Sequence, residues 1–354
     1  MKKIIYSFGV CLMATQIQAQ VYNNGAELFV SEGAVVSFNT DVVNDGKITN
    51  NGKIHFQKNF DNLSLLKSNG TVVFDGNSMQ VLRSPKEVSF GQLLLDNDLK
   101  LETPLRVEGA LSFRRGVIES SSQSPLIFSA GSRYDGASDF SHIKGVISKE
   151  GSESFEFPLG DGNNYRAFRV AGNHSNQTLT ASYLYRSPLS ISEKISENVD
   201  AINQNEYWTL KSESTRGSAK ISLANGSDLD VIAFLDKGTW SISEDASLSA
   251  TTDLANGTLF TRAKSRNIQP AIGVYPNPTD GEFFLKLSGM NETELITVDV
   301  VNQDGSRVLQ KTGTVKELRK AYVLPEHLPA TELTVRVVRG DSKKPLYQKM
   351  ILNK

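Results

Sequence analysis

Four histidines, at positions 55, 142, 174 and 327, stand far apart in this 354-residue chain, and no two have a zinc-binding spacing. There is no His-Glu-x-x-His pair, no Gly-x-Ser-x-Gly elbow and no Walker-type phosphate loop. The single cysteine, Cys11, lies in an apolar run near the N-terminus, so no thiol nucleophile is found beyond it. Carboxylates and guanidiniums remain. Asp96, Asp98, Glu102 and Glu108 lie near Arg106, with Arg114 and Arg115 further on. Gathered on one outer sheet, acids holding calcium beside an arginine base would suit a polysaccharide lyase. Spread along solvated strands, the same residues only keep a surface soluble, and that is the preferred reading. Asp75-Gly76-Asn77, and Asp228-Leu229-Asp230 with Asp236, supply too few ligands for a calcium loop. Trp208 and Trp240 are expected in the core, with a sugar-stacking platform as the alternative. No catalytic, cofactor-binding or metal residue is assigned, no cofactor is expected, and the chain is read as a non-enzyme.

Those charges must be carried by strands. Apolar residues recur at every sixth position: Val30, Val36, Val42, Ile48, Ile54, Phe60, Leu66 and Val72. Counting hexads from Val36, the fifth place holds Gly46, Gly52, Gly70 and Gly76, and the third holds Phe38, Asn44, Asn50, Phe56, Asn62 and Phe74. A second run follows in a shifted register: Leu93, Leu99, Leu105, Leu111 and Val117, partnered by Leu95, Leu101, Val107 and Phe113. Alternate residues of a short strand share a face, so places one and three point inward and glycine turns the corner. Three such sides close one coil of a β-solenoid. Asn44 and Asn50 are expected to bond from coil to coil as a side-chain ladder. Hexads also occur in left-handed β-helix acyltransferases, but those need a catalytic histidine, and only His55 and His142 fall in this region.

Near residue 145 the pattern changes to alternating strands with turns at Asp161-Gly162 and Gly172-Asn173, the spacing of a β-sandwich. The polar stretch from Ser187 to Gln204 is the one candidate for a helix or linker. The segment Phe157-Pro158-Leu159-Gly160-Asp161-Gly162, with Tyr207-Trp208 and Gly238-Thr239-Trp240 later, resembles a module of large Bacteroidetes surface proteins.

At the N-terminus, Lys2 and Lys3 precede an apolar stretch from Ile4 to Ala14, and Ala19-Gln20 follows a short polar region. That is the layout of a secretory signal peptide cleaved between Ala19 and Gln20. The apolar run is too short for a membrane span. Lys+Arg 38 against Asp+Glu 39 gives −1, and without Lys2 and Lys3 the balance is 36 against 39, or −3. No basic stripe suggests nucleic acid.

About eighty residues from the C-terminus stands Tyr275-Pro276-Asn277-Pro278-Thr279-Asp280-Gly281. Two prolines fix φ, their predecessors are biased towards extended geometry, and Asp280-Gly281 supplies a turn before an alternating strand from Glu282 to Leu287. Strands are expected at Ile296–Val301 and Leu333–Val338, with Lys349 and Lys354 in a closing basic strand. This pattern resembles the type A C-terminal sorting domain of the type IX secretion system of Bacteroidetes. One departure is Ala330-Thr331-Glu332-Leu333, where that family has a Gly-x-Tyr step. The resemblance implies export through the periplasm and the outer-membrane translocon, removal of the domain by a sortase, and attachment to lipopolysaccharide. Its site residues are Tyr275, Pro276, Asn277, Pro278, Gly281, Lys349 and Lys354.

The expected chain is all-β: signal peptide 1–19, β-solenoid with hexad repeats 20–144, β-sandwich 145–264, linker 265–271, and an Ig-like β-sandwich sorting domain 272–354. It is read as a secreted, surface-anchored structural or adhesive protein with a glycan or cell-surface ligand. A β-helix lyase or hydrolase, or an accessory or signalling cargo of the secretion machinery, is the alternative.

Overall fold

An apolar place every six residues fits four-residue strands joined by short corners, and the chain folds in that way. The computed structural model describes residues 20–353 except 172–177, 214–217, 225–228, 230, 243–246, 255–256, 267–269 and 341–343. The signal peptide with Ala19, the turn Gly172-Asn173, His174, Asp228, Asp230 and Lys354 lie outside the described residues.

The hexads become three parallel faces. One stacks Val35–Phe38, Lys53–Phe56 and Thr71–Phe74, pairing Val36 with Ile54 and Ile54 with Val72. A second brings Val42 over Phe60, and a third Ile48 over Leu66. From Val42 to Phe74 every first and third hexad place is buried except Leu66, which is half-buried. Inside, Phe38, Phe56 and Phe74 stack coil on coil with ring centroids 5.7 and 5.6 Å apart. Each fully buried ring contributes about 1.5–3 kcal/mol relative to exposure, so the column is what holds the coils together. Polar inward places are satisfied along the stack. Asn23 Nδ2 donates to Asn44 Oδ1 (2.7 Å), and Asn44 Nδ2 donates to Asn62 Oδ1 (2.7 Å), 18 residues on. Asn50 Nδ2 donates instead to Ser68 Oγ (3.0 Å). The ladder therefore runs between coils, with Asn44 and Asn50 in separate columns.

The corner glycines are needed for space, because backbones touch there. A Cβ on Gly70 would lie 2.1 Å from the Gly52 carbonyl oxygen, and one on Gly52 would lie 2.4 Å from that of Ala34. The second hexad run is buried from Leu93 through Phe113, but its last member is not. Val117 is half-buried, and Ile118 takes the inward place over Leu99. A bulge opposite Leu95 and Asp96, followed by Gly116 at φ 98°, inserts the extra residue.

The solenoid passes into the sandwich without a break in its largest sheet. Val146–Lys149 lies parallel to Leu126–Phe128 on one side and antiparallel to Leu179–Leu184 on the other. The sheet then continues antiparallel through Tyr207–Ser212, Thr258–Ser265, Val231–Asp236 and Thr239–Ile242. A four-stranded antiparallel sheet of Phe155–Phe157, Phe168–Val170, Ser218–Leu223 and Ser249–Asp253 covers its inner face. One apolar core runs from Val30 in the first coils to Phe260 in the sandwich. The stretch from Ser187 to Gln204, expected as helix or linker, holds a 3-10 turn at Pro188–Ser190 and a strand at Val199–Ile202 paired with Thr258–Ser265. Its polar residues face outward while Val199 and Ile202 are buried, which disguises the strand in the sequence.

The C-terminal part has its own core, from Phe283 to Leu352. Ala271–Tyr275, Glu282–Ser288 and Tyr322–Val323 form one sheet, and Arg307–Thr314, Leu295–Val301, Thr331–Arg339 and Leu346–Leu352 form the other. Strand Thr331–Arg339 forms across the Ala330 departure, with buried Leu333 opposite Met350. The buried Asp299 carboxylate is held by Arg336 Nη2 at 2.7 Å and Gln310 Nε2 at 2.9 Å, as a buried charge must be.

Candidate functional site

Tyr275 to Gly281 leaves one sheet of the C-terminal domain and immediately grips the last strand of the other. The Tyr275–Pro276 and Asn277–Pro278 bonds are cis. Asn277 reads the backbone of Leu346–Leu352 with both ends of its amide. Its Nδ2 donates to the Lys349 carbonyl (3.0 Å), and its Oδ1 accepts from Ile351 N (2.9 Å). Thr279 N then donates to Ile351 O (2.9 Å), and Asn353 N donates to Thr279 O (2.8 Å). The buried Thr279 hydroxyl donates to Glu282 O and accepts from Gly281 N (3.1 Å). Gly281 has φ 125°, a value that side chains rarely adopt, and its carbonyl accepts from Leu324 N (2.8 Å). Tyr275 stacks on Phe284 at 5.7 Å on the surface. Lys349 points to solvent and pairs with Glu332 at 2.7 Å.

The two halves of the expected signal, 70-odd residues apart in sequence, are therefore one structure. Asn277 gives its reason in geometry: an amide is the side chain that can donate and accept at once along an extended strand. The motif also supplies partners for the backbone of an edge strand that would otherwise stand open.

The solenoid acids and arginines do not converge. Asp96 pairs with Arg115 at 2.9 Å, Glu102 with Arg83 at 2.9 Å and Lys100 at 2.9 Å, and Glu108 accepts from Ser89 at 2.5 Å. Arg106 is held between Glu87 (2.5 Å) and Glu150 (2.7 Å), and these carboxylates raise its already high pKa. Asp98 accepts from Val117 N, and Arg114 reaches Asp96 only at 3.8 Å. Each of these groups is engaged locally along the stack, Asp98 and Glu108 by neutral donors and the others by opposite charges. Among the described residues no group of three or more acids, histidines or cysteines is placed to hold a metal ion. Asp75 instead pairs with His55 Nδ1 at 2.7 Å.

Trp208 and Trp240 are both fully buried, and their indole N–H groups donate to Arg166 O (2.8 Å) and Ser192 O (3.1 Å). Neither offers a face to a sugar. His142 is buried as well. Its Nε2 accepts from Gly162 N (2.9 Å), so Nδ1 carries the proton and donates to Ser138 O (3.0 Å). Burial lowers its pKa.

Sequence reasoning missed a cleft of about 610 Å³ in the sandwich, where Phe168–Val170 and Ser218–Leu223 part from the larger sheet. Glu206 sits at its floor, accepting from Arg166 Nε (3.1 Å), Tyr183 Oη (2.8 Å) and Asn203 Nδ2 (3.3 Å). Arg166 and Glu206 lie 40 positions apart, and no spacing rule links them. The only sequence signal was an acid immediately before the apolar Tyr207-Trp208 strand.

The clasp and its two sheets define a C-terminal domain at the end of an all-β chain. Residues 273–323 match the family model of a secretion system C-terminal sorting domain. The chain is thus a cargo of the type IX secretion system, a Bacteroidetes pathway, exported to the cell surface or the extracellular space. The match ends at Val323, while the core and the clasp carry the same domain on to Asn353. No curated protein matches the chain.

Proposed function

We propose that the exported chain serves as a structural or adhesive protein at the cell surface, with no enzymatic activity of its own. The observation that carries this reading is the uninterrupted core from Val30 to Phe260, which makes the solenoid and sandwich one stiff body. Two groups of its outward charges are spent on neighbours: Asp61, Arg83 and Glu102 form one chain of pairs, and Glu87, Arg106 and Glu150 another. A base or a calcium ligand set would need such groups to be free and convergent. Surface retention involves the translocon, a sortase that removes the sorting domain, and a lipopolysaccharide anchor, with a glycan as ligand.

The test uses the purified exported protein on a glycan array, with the retained glycans then incubated in solution with calcium. Retention without new reducing ends or unsaturated products is expected. Sustained release of either product would replace this reading with a β-helix lyase or hydrolase.

A further inference from the structure

We propose that the sandwich cleft around Glu206 is a binding site for an oxyanion-bearing saccharide, gripped by Arg262 and Arg169. This rests on the adhesive reading and assigns its ligand chemistry.

The cleft holds more donors than acceptors. Its two carboxylates are already served. Glu156 accepts from both Tyr165 Oη (2.9 Å) and Tyr134 Oη (3.1 Å), and Glu206 takes three donors of its own. The three arginines that line it are not all served. Arg166 is, through Glu206 and the Tyr165 carbonyl (3.1 Å). Arg262 is not. Its Nε stands 3.9 Å from Glu206 Oε1, beyond hydrogen-bond reach, and its Nη1 is buried with no acceptor. Arg169 is exposed and pairs with no acid among the described residues.

A buried guanidinium N–H without an acceptor is costly enough that native structures rarely keep one unexplained. Desolvation and the like charge of Arg166 both act against the charged form of Arg262, and the Glu206 carboxylate only partly opposes them. A carboxylate or sulfate ester in the cleft would supply oxygens to Arg169 and, with a turn of the Arg262 guanidinium towards the cleft, to its Nη1. A guanidinium presents its donors as a planar fork that fits such a group. The volume lies within the range of small-ligand sites and is suited to one or two sugar rings. Tyr165 and Asn203 at the wall can meet ring hydroxyls.

The experiment is calorimetric titration of the full exported protein with three probes: digalacturonate, galactose 6-sulfate and neutral galactobiose. At least one acidic probe is expected to bind at least tenfold more tightly than the neutral one, and more weakly as salt rises. Arg262→Gln and Arg169→Ala are each expected to weaken that binding by about tenfold or more. Arg169 is exposed, so Arg169→Ala keeps the fold even if Arg262→Gln lowers the melting temperature. Equal binding of galactobiose, no binding of either acidic probe, or unchanged binding by the Arg169 variant overturns the proposal. Glycan retention on the array that both variants keep would defeat the cleft and leave the adhesive reading standing.

Discussion

His142 is the side chain on which protonation would tell most. It is buried, its Nε2 accepts from Gly162 N, and its Nδ1–H is committed to Ser138 O. A proton added to Nε2 would face the N–H of Gly162, which now donates to that nitrogen. Burial lowers the folded-state pKa below the ordinary histidine value. The sign follows. Above the unfolded value the ring is neutral in both states and the full stability is present. As pH falls below it, the unfolded chain takes up the proton first, and stability is lost until the folded pKa is reached. Melting curves between pH 8 and pH 5 should show the wild-type midpoint dropping on the acid side. His142→Gln, which keeps a polar side chain but cannot titrate, should flatten that limb. Identical slopes for both proteins would mean that the acid limb belongs to other groups. In the sequence His142 was only a histidine without a partner, because both its contacts are to backbone atoms, which spacing does not reveal.

At the scale of elements, the coil corner decides whether strands can stack. Parallel coils rest on one another at the backbone, and Gly52 and Gly70 stand where the chain of one coil meets the next. Neither has a positive φ, so the requirement is space alone. Gly70→Ala would push a methyl to within 2.1 Å of a carbonyl oxygen that cannot move without parting the sheet. The expected cost is about 1–3 kcal/mol, read as a lowered denaturation midpoint. Gly273→Ala makes the control, since its Cβ would meet only Lys286 Cβ at an ordinary 3.5 Å. Similar losses in both variants would show that backbone contact is not what sets the corner. The hexad was legible because this contact repeats: paired inward residues recur from side to side, and glycine holds the fifth place at Gly46, Gly52, Gly70 and Gly76. Where a bulge adds a residue, as before Ile118, periodicity misplaces the core by one. The strand Val199–Ile202 was hidden for a related reason, since only its two ends are buried and no alternation marks it.

For the whole molecule, the question is what remains after export. The stiff body ends with Thr258–Ser265, and Ala271–Tyr275 already belongs to the sheet of the sorting domain. In the sequence, the polar stretch from Arg262 to Ala271 lacks strand alternation, and by that criterion the whole of it is open to a cut. The fold narrows it. Arg262 to Ser265 are paired with Val199–Ile202 and Val231–Asp236, and Arg262 lines the sandwich cleft, so a protease cannot reach them without opening the sheet. At the other side, Asn277 and Thr279 bind the domain's first and last segments together, so the domain would leave as a single piece. The surface form is therefore expected to end between Arg266 and Ala271, retaining the cleft complete and losing the clasp entirely. Intact-mass measurement of protein shed from cells, beside the same measurement on whole-cell precursor, reads both ends of that fragment. A surface form that still carries Asn353 would show that the domain stays attached. A form ending before Arg262 would mean that maturation destroys the arginine grip, and the cleft could not then serve at the cell surface.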